Sequence, residues 1–173
     1  MSSINYDLTK IKAFVFDVDG VLSRDVSTLS PTGEPMRTVN TKDGYAIRLA
    51  VRKGFQIGII TTGHTEAVRL RFAGLGAQHI YIKSVRKMDD FNDFIYKTGL
   101  KDNEVIYVGD DIPDYEIMSR VGLAVAPADA VPEIKGIAGY ISHKPGGEGV
   151  ARDVIEQTMK AQGLWMCDDA FVW

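Results

Sequence analysis

The run AFVFDVDGV at residues 13–21 constrains this chain more than any other feature. Four apolar residues with no polar alternation describe a strand buried on both faces, as in parallel sheets covered by helices. Two aspartates and a glycine follow at once. Side chains two apart on an extended strand share a face, so Asp17 and Asp19 both reach beyond the strand's C-terminal edge. Open α/β sheets bind their ligands at that edge. The pattern DxD also arises by chance, and the competing reading is two loop aspartates capping the next segment.

The rest of the chain repeats the pattern. Short apolar runs at 57–60, 105–108 and 123–125 read as further buried strands, with another at 79–82. Helical spacing recurs between them at 44–52, 66–75 and 88–97, and a last helix is expected at 150–161 between Gly149 and Gly163. This alternation predicts an α/β fold, a doubly wound parallel sheet. Two segments depart from it. Residues 22–41 carry Pro31, Thr32 and Gly33 between two extended arms, which predicts a projecting β-hairpin. Residues 164–173 hold Leu164, Trp165, Met166, Phe171, Val172 and Trp173, an apolar tail that must dock on this domain or on a neighbour. With 173 residues and no internal repeat, one domain spanning 1–173 is expected.

The second acidic group, GDDIPD at 109–114, also follows an apolar strand. One of Asp110, Asp111 and Asp114 can cap the next helix, but a cap does not need three acids. Clustered carboxylates raise one another's pKa unless a cation sits among them, and a hard cation such as Mg²⁺ suits an all-oxygen site that also receives phosphate. Thr61 ends the strand at 57–60 and Lys87 opens a helix, so a hydroxyl, backbone N–H groups and an ammonium face the same edge. Each alone reads as a cap or a solvated cation. Their coincidence at four strand ends is what those readings leave unexplained.

The order DxDG, Thr after an apolar strand, Lys, then GDDxxD resembles the haloacid dehalogenase-like phosphatases over about residues 13–125. The gap from Asp19 to Thr61 leaves no room for a cap domain. DVDGVL, VNTKDGYAI, ADAVPEI and KPGGEGVARDVIE further resemble the 3-deoxy-D-manno-octulosonate 8-phosphate (KDO 8-phosphate) phosphatases, tetramers whose hairpin and tail reach a neighbouring subunit. The resemblance implies Asp17 as nucleophile and Asp19 as general acid/base. It implies Mg²⁺ held by Asp17, the backbone carbonyl of Asp19, and Asp110, with Thr61 and Lys87 on the phosphoryl group. It also implies a sugar-acid phosphate substrate, in lipopolysaccharide biosynthesis. The related nine-carbon sialic-acid-type phosphatases carry Glu where Gly63 stands and Lys where Gly74 stands, and both departures favour the eight-carbon acid. Thr62 replaces the usual glycine after the motif threonine, so the choice between Thr61 and Thr62 stays open. Lys42 replaces the family's Arg before DGY as a candidate substrate contact, and Arg71 is a candidate for the substrate carboxylate through two parallel hydrogen bonds.

Two other classes compete. A non-catalytic tetramerisation module would be expected to lack a nucleophile or metal ligand that this chain retains. A receiver domain needs its phosphoacceptor on a middle strand, where Thr61 stands instead. The net charge of −3 gives no footprint for nucleic acid, and no apolar run approaches the ~20 residues that cross a bilayer. Residues 1–10 lack the apolar core of a signal peptide, and the single Cys167 excludes an intrachain disulfide, so a cytoplasmic enzyme is expected. His64, His79 and His143 lack metal-ligand spacing.

Overall fold

A computed structural model describes residues 4–173, so the expectation for residues 1–10 lies outside it at residues 1–3. The strands are β1 (Ala13–Phe16), β2 (Gln56–Ile60), β3 (His79–Tyr81), β4 (Val105–Val108), β5 (Leu123–Ala126) and β6 (Tyr140–Ile141). They form one six-stranded sheet, all parallel, in the order β3-β2-β1-β4-β5-β6. The helices between and after them are α1 (Thr41–Arg52), α2 (Glu66–Gly74), α3 (Lys87–Thr98), α4 (Tyr115–Met118), α5 (Pro132–Ile137) and α6 (Val150–Ala161). No cap domain is inserted among the described residues.

Strand alternation sorts the core into two layers. Phe14 and Phe16 of β1, Ile57 and Ile59 of β2, and Ile106 and Val108 of β4 pack with α1, α2 and α6 on one face. Val15, Ile60 and Tyr107 point the other way, onto Phe91 and Phe94 of α3, Ile117 of α4 and Ile134 of α5. Burying each such aliphatic or aromatic side chain contributes about 1.5–3 kcal/mol. The chain winds outward from β1 to β3, then crosses back to lay β4 against the other side of β1. Loops leaving β1 and β4 therefore diverge, and a crevice opens between them.

Helices α1 and α6 are joined by an aspartate. Asp43 Oδ1 accepts from Arg152 N at 2.7 Å, in the first turn of α6, where Gly149 has no side chain to cap with. Its other oxygen is buried without a partner. Burial pushes this carboxyl up to about 6, against the pull of the Arg152 N–H and charge. A raised folded-state value means the contribution to stability is full below the ordinary carboxylate range and is lost as pH rises through about 6. Between pH 5 and 7 the wild type should therefore lose about 1 kcal/mol relative to Asp43→Asn. Urea unfolding of both proteins at several pH values measures this, and a constant gap would contradict it.

Residues 22–41 form a shorter hairpin than the sequence suggests. The turn closes with Gly33 N donating to Ser30 O at 2.9 Å. Ser30 N–Glu34 O and Met36 N–Thr28 O follow at 2.8 Å each, around a single antiparallel bridge between Leu29 and Pro35. Pro35 has no N–H to extend a ladder, so no regular strand forms. Val26, Leu29, Met36 and Val39 are exposed along the arms.

The tail docks on its own chain, one of the two alternatives the sequence left open, while Phe171, Val172 and Trp173 keep much of their surface exposed. Trp173 stacks on Tyr45 at 6.2 Å, Arg152 lies between the rings of Tyr45 and Trp165, and Tyr45 Oη donates to Ala170 O. Lys53 pairs with Asp169 at 2.6 Å.

Candidate active site

The peptide N–H of Asp17 donates to Val108 O at 3.0 Å, so the β1–β4 pairing runs up to the first aspartate and fixes its backbone. Asp17 Oδ1 accepts from Val18 N at 2.6 Å, and Oδ2 accepts from Lys87 Nζ at 2.8 Å. Lys87 is the first residue of α3 and its side chain is only 4% exposed. The same Nζ donates to Asp114 Oδ1 at 2.7 Å, which also receives Tyr107 Oη at 2.6 Å. Asp114 Oδ2 accepts from Asp110 N at 3.2 Å. Asp114 thus takes three donors, holding Lys87 and the start of its own loop. The Asp110 carboxylate rests against Gly20, whose φ of 82° and lack of a Cβ are both required: a Cβ there would run into it.

Asp17, Asp110 and Asp114 each offer an oxygen within 4.8 Å of the others. Burial, then the charge of Asp114, pushes Asp17 up to about 7, against the pull of Lys87. Burial, then Asp17 and Asp114, pushes Asp110 up to about 8. Burial alone would lower Lys87, but the charges of Asp17 and Asp114 outweigh it and raise the ammonium. Three ionised carboxylates facing one ammonium leave two negative charges in a buried site. A divalent cation balances them; Asp114 already takes three donors, so Asp17, with two, and Asp110 are the carboxylates freer to offer it an oxygen.

Thr61 follows β2 and is buried, whereas Thr62 is exposed. Thr61 Oγ1 accepts from Gly63 N at 3.1 Å, and Thr61 O accepts from Ser84 N at 3.0 Å, tying this loop to the one before α3. Asp19 turns to the hairpin: Arg37 Nε and Nη2 each lie 2.8 Å from one of its oxygens.

Two candidates sit elsewhere. Lys42 is exposed in the first turn of α1, on a groove with Arg24, Asn40 and Lys144. Arg71 is half-buried against Gly44 of α1 and lines the groove beneath the hairpin. Neither makes a hydrogen bond or ion pair to the carboxylates among the described residues. His64 pairs with Glu34 at 2.8 Å, His79 with Gln56 at 3.0 Å, and His143 lies 3.7 Å from Asp153.

Sequence reading missed three contributors. Tyr107 carried a signal, as the one polar tip in the buried strand VIYV. Asp114 was visible as a third acid but not as the partner of Lys87. Arg37 carried none, since its pairing depends on how residues 22–41 fold back.

Comparison with known proteins is consistent with this geometry. A family profile described as haloacid dehalogenase-like hydrolase matches residues 60–154. The 3-deoxy-D-manno-octulosonate 8-phosphate phosphatase of Salmonella typhi is 39% identical over 153 residues, 88% of this chain and 81% of that one. The crystal structure of the phosphatase of the same name from Yersinia pestis superposes with a TM-score of 0.87 at 31% identity, covering 91% of this chain and 85% of that one. That from Moraxella catarrhalis, solved with a magnesium ion, a phosphate ion and KDO, superposes at 0.86 with 28% identity, covering 91% and 90%.

Proposed function

We propose, from the premise that the chain belongs to the haloacid dehalogenase-like hydrolase family and within it to the 3-deoxy-D-manno-octulosonate 8-phosphate phosphatases, that it hydrolyses KDO 8-phosphate to KDO and phosphate. The observation that carries this reading is Asp17 held by Lys87 at 2.8 Å beside Asp110, in the crevice where β1 and β4 part.

Asp17 attacks phosphorus in line through an oxygen. The bond from phosphorus to the sugar's O8 breaks, and that oxygen takes a proton from Asp19. The aspartyl phosphate so formed is a better phosphoryl donor than the ester. Water then gives its proton to Asp19 and attacks phosphorus, and phosphate leaves with Asp17 restored. Lys87 sets the Asp17 carboxylate in place and stabilises charge on the phosphoryl oxygens, while the N–H groups after Thr61 bind those oxygens. Asp17, Asp110 and the Asp19 carbonyl would hold Mg²⁺, which supplies neutralisation of the anionic nucleophile and ester.

Gly63 supports the eight-carbon substrate over the nine-carbon one: Arg37 fills the space beside it, Nη2 only 2.5 Å from where a Cβ would stand, so a glutamate there would displace this arm. A panel of phosphorylated sugar acids tests the assignment, with kcat/KM expected to be highest on KDO 8-phosphate. A preference for a nine-carbon 9-phosphate would overturn it. Chelation with EDTA should abolish phosphate release, and Mg²⁺ should restore it and raise the melting temperature by mass action. Undiminished turnover in EDTA, or a melting temperature indifferent to Mg²⁺, would contradict the metal assignment.

The enzyme is further read as a cytoplasmic homotetramer. Exposed Val26, Leu29, Met36 and Val39 on the hairpin support assembly through residues 22–41, which light scattering on the intact chain tests. No helix among the described residues is long and apolar enough to cross a membrane.

A further inference from the structure

We infer that Arg37, on the hairpin, is a positioning residue for Asp19. The inference rests on the phosphatase reading above, and extends it to a residue outside the catalytic strand ends. Two guanidinium nitrogens meet the two carboxylate oxygens at 2.8 Å each, the forked geometry that fixes both the distance and the plane of a carboxylate. The fork is itself held. Arg37 Nη1 donates to Thr65 Oγ1 at 3.2 Å, Thr65 Oγ1 donates to Glu34 Oε2 at 2.7 Å, and His64 pairs with Glu34 at 2.8 Å. Gly63 leaves the space that the guanidinium occupies. Arg37 is 12% exposed although it springs from an exposed loop, while Asp19 is 39% exposed and open to the crevice. The pair is part-buried and bidentate, so it both ties the hairpin to the β1 loop and fixes where the carboxyl lies, and only the second of these should distinguish one ester from another.

Asp19 serves twice, giving a proton to O8 and later taking one from water. Both oxygens are tied in the present arrangement. Rotation about Cβ–Cγ turns one toward the leaving oxygen while the other keeps a guanidinium N–H, so Arg37 limits the carboxyl to a narrow arc. Removing it leaves Asp19 on a mobile side chain beside water, and misplacement of about 1 Å can cost on the order of 100-fold.

The test compares two esters. KDO 8-phosphate loses an alkoxide that needs a proton; p-nitrophenyl phosphate loses a phenolate that does not. Because kcat/KM reports events up to departure of the leaving group, Arg37→Ala should lower it at least tenfold on the sugar ester and less than threefold on the nitrophenyl ester. The value of kcat should fall on both, since hydrolysis of the aspartyl phosphate is common to them. Added methylguanidinium should recover part of the loss, and Thr65→Val should show the same pattern more weakly. Equal falls in kcat/KM on both esters would mark a structural or phosphate-binding role and overturn the inference, as would an unchanged sugar-ester value. Glycerol phosphate, another ester with a poor leaving group, can replace the sugar ester. The Arg37 comparison then stands even if KDO 8-phosphate is not the substrate.

Discussion

Asp17→Asn should abolish phosphate release while the protein stays folded. The amide keeps an oxygen for the Val18 N–H and matches the carboxylate in shape. Its NH₂ group faces Lys87 Nζ, but that ammonium retains Asp114, and one buried negative charge is relieved. The fold therefore survives the change. The chemistry does not, because an amide has no anionic oxygen to attack phosphorus and is a poorer ligand for a hard cation. Loss of an essential nucleophile elsewhere costs about 10⁶ in kcat, and a fall of that order is expected. The checks are phosphate release from the purified variant and its far-ultraviolet circular dichroism. Turnover near that of the wild type in a folded variant would remove Asp17 from the mechanism.

Lys87→Ala should also be strongly damaging, and for two separable reasons. The ammonium is the only cation within hydrogen-bonding distance of the buried Asp17 and Asp114 among the described residues. Deleting it strands both carboxylates, and breaking a buried pair in this way typically costs about 3–5 kcal/mol. The cavity can lower that cost by protonating a carboxyl, but a protonated Asp17 is no nucleophile. The direct catalytic loss, of one fixed positive charge beside the phosphoryl oxygens, is on the order of 10²–10³. Melting temperature should drop and kcat/KM should fall by at least that factor, with partial recovery of stability in Mg²⁺. Unchanged kinetics would move the role to another cation, with Lys83, exposed in the same loop, the first candidate.

The fold was legible wherever a segment obeyed one period and ended at a glycine or an acid. Strands at 13–16 and 105–108 and the helix at 150–161 have the boundaries read from sequence. Strand β6 was missed because two residues cannot show a period, and α4 and α5 because one turn or so of helix cannot either. At the site, Asp17, Thr61, Lys87 and Asp110 come to one edge because each closes a strand or opens the following segment, which is a local property of sequence. The work of Asp114 is not local: it depends on α3 delivering Lys87 across 27 residues. Arg71 and Lys42 were legible only as cations on helices: Arg71 lines the groove beneath the hairpin together with Val18 and Arg37, and Lys42 a groove along α1, and which anion either one meets is not a local property of sequence.

The docked tail has a practical consequence for anyone watching this protein by light. Both tryptophans of the chain, Trp165 and Trp173, belong to residues 164–173, and both sit against cationic side chains of α1 or α6. The fully buried core holds phenylalanine and tyrosine but no tryptophan, and Trp165 packs against its rim. Intrinsic emission excited at long wavelength is therefore a spectrum of the tail. A change in that emission on adding substrate reports movement at the C-terminus, and an unfolding curve followed by it tracks release of ten residues, which need not coincide with loss of the sheet.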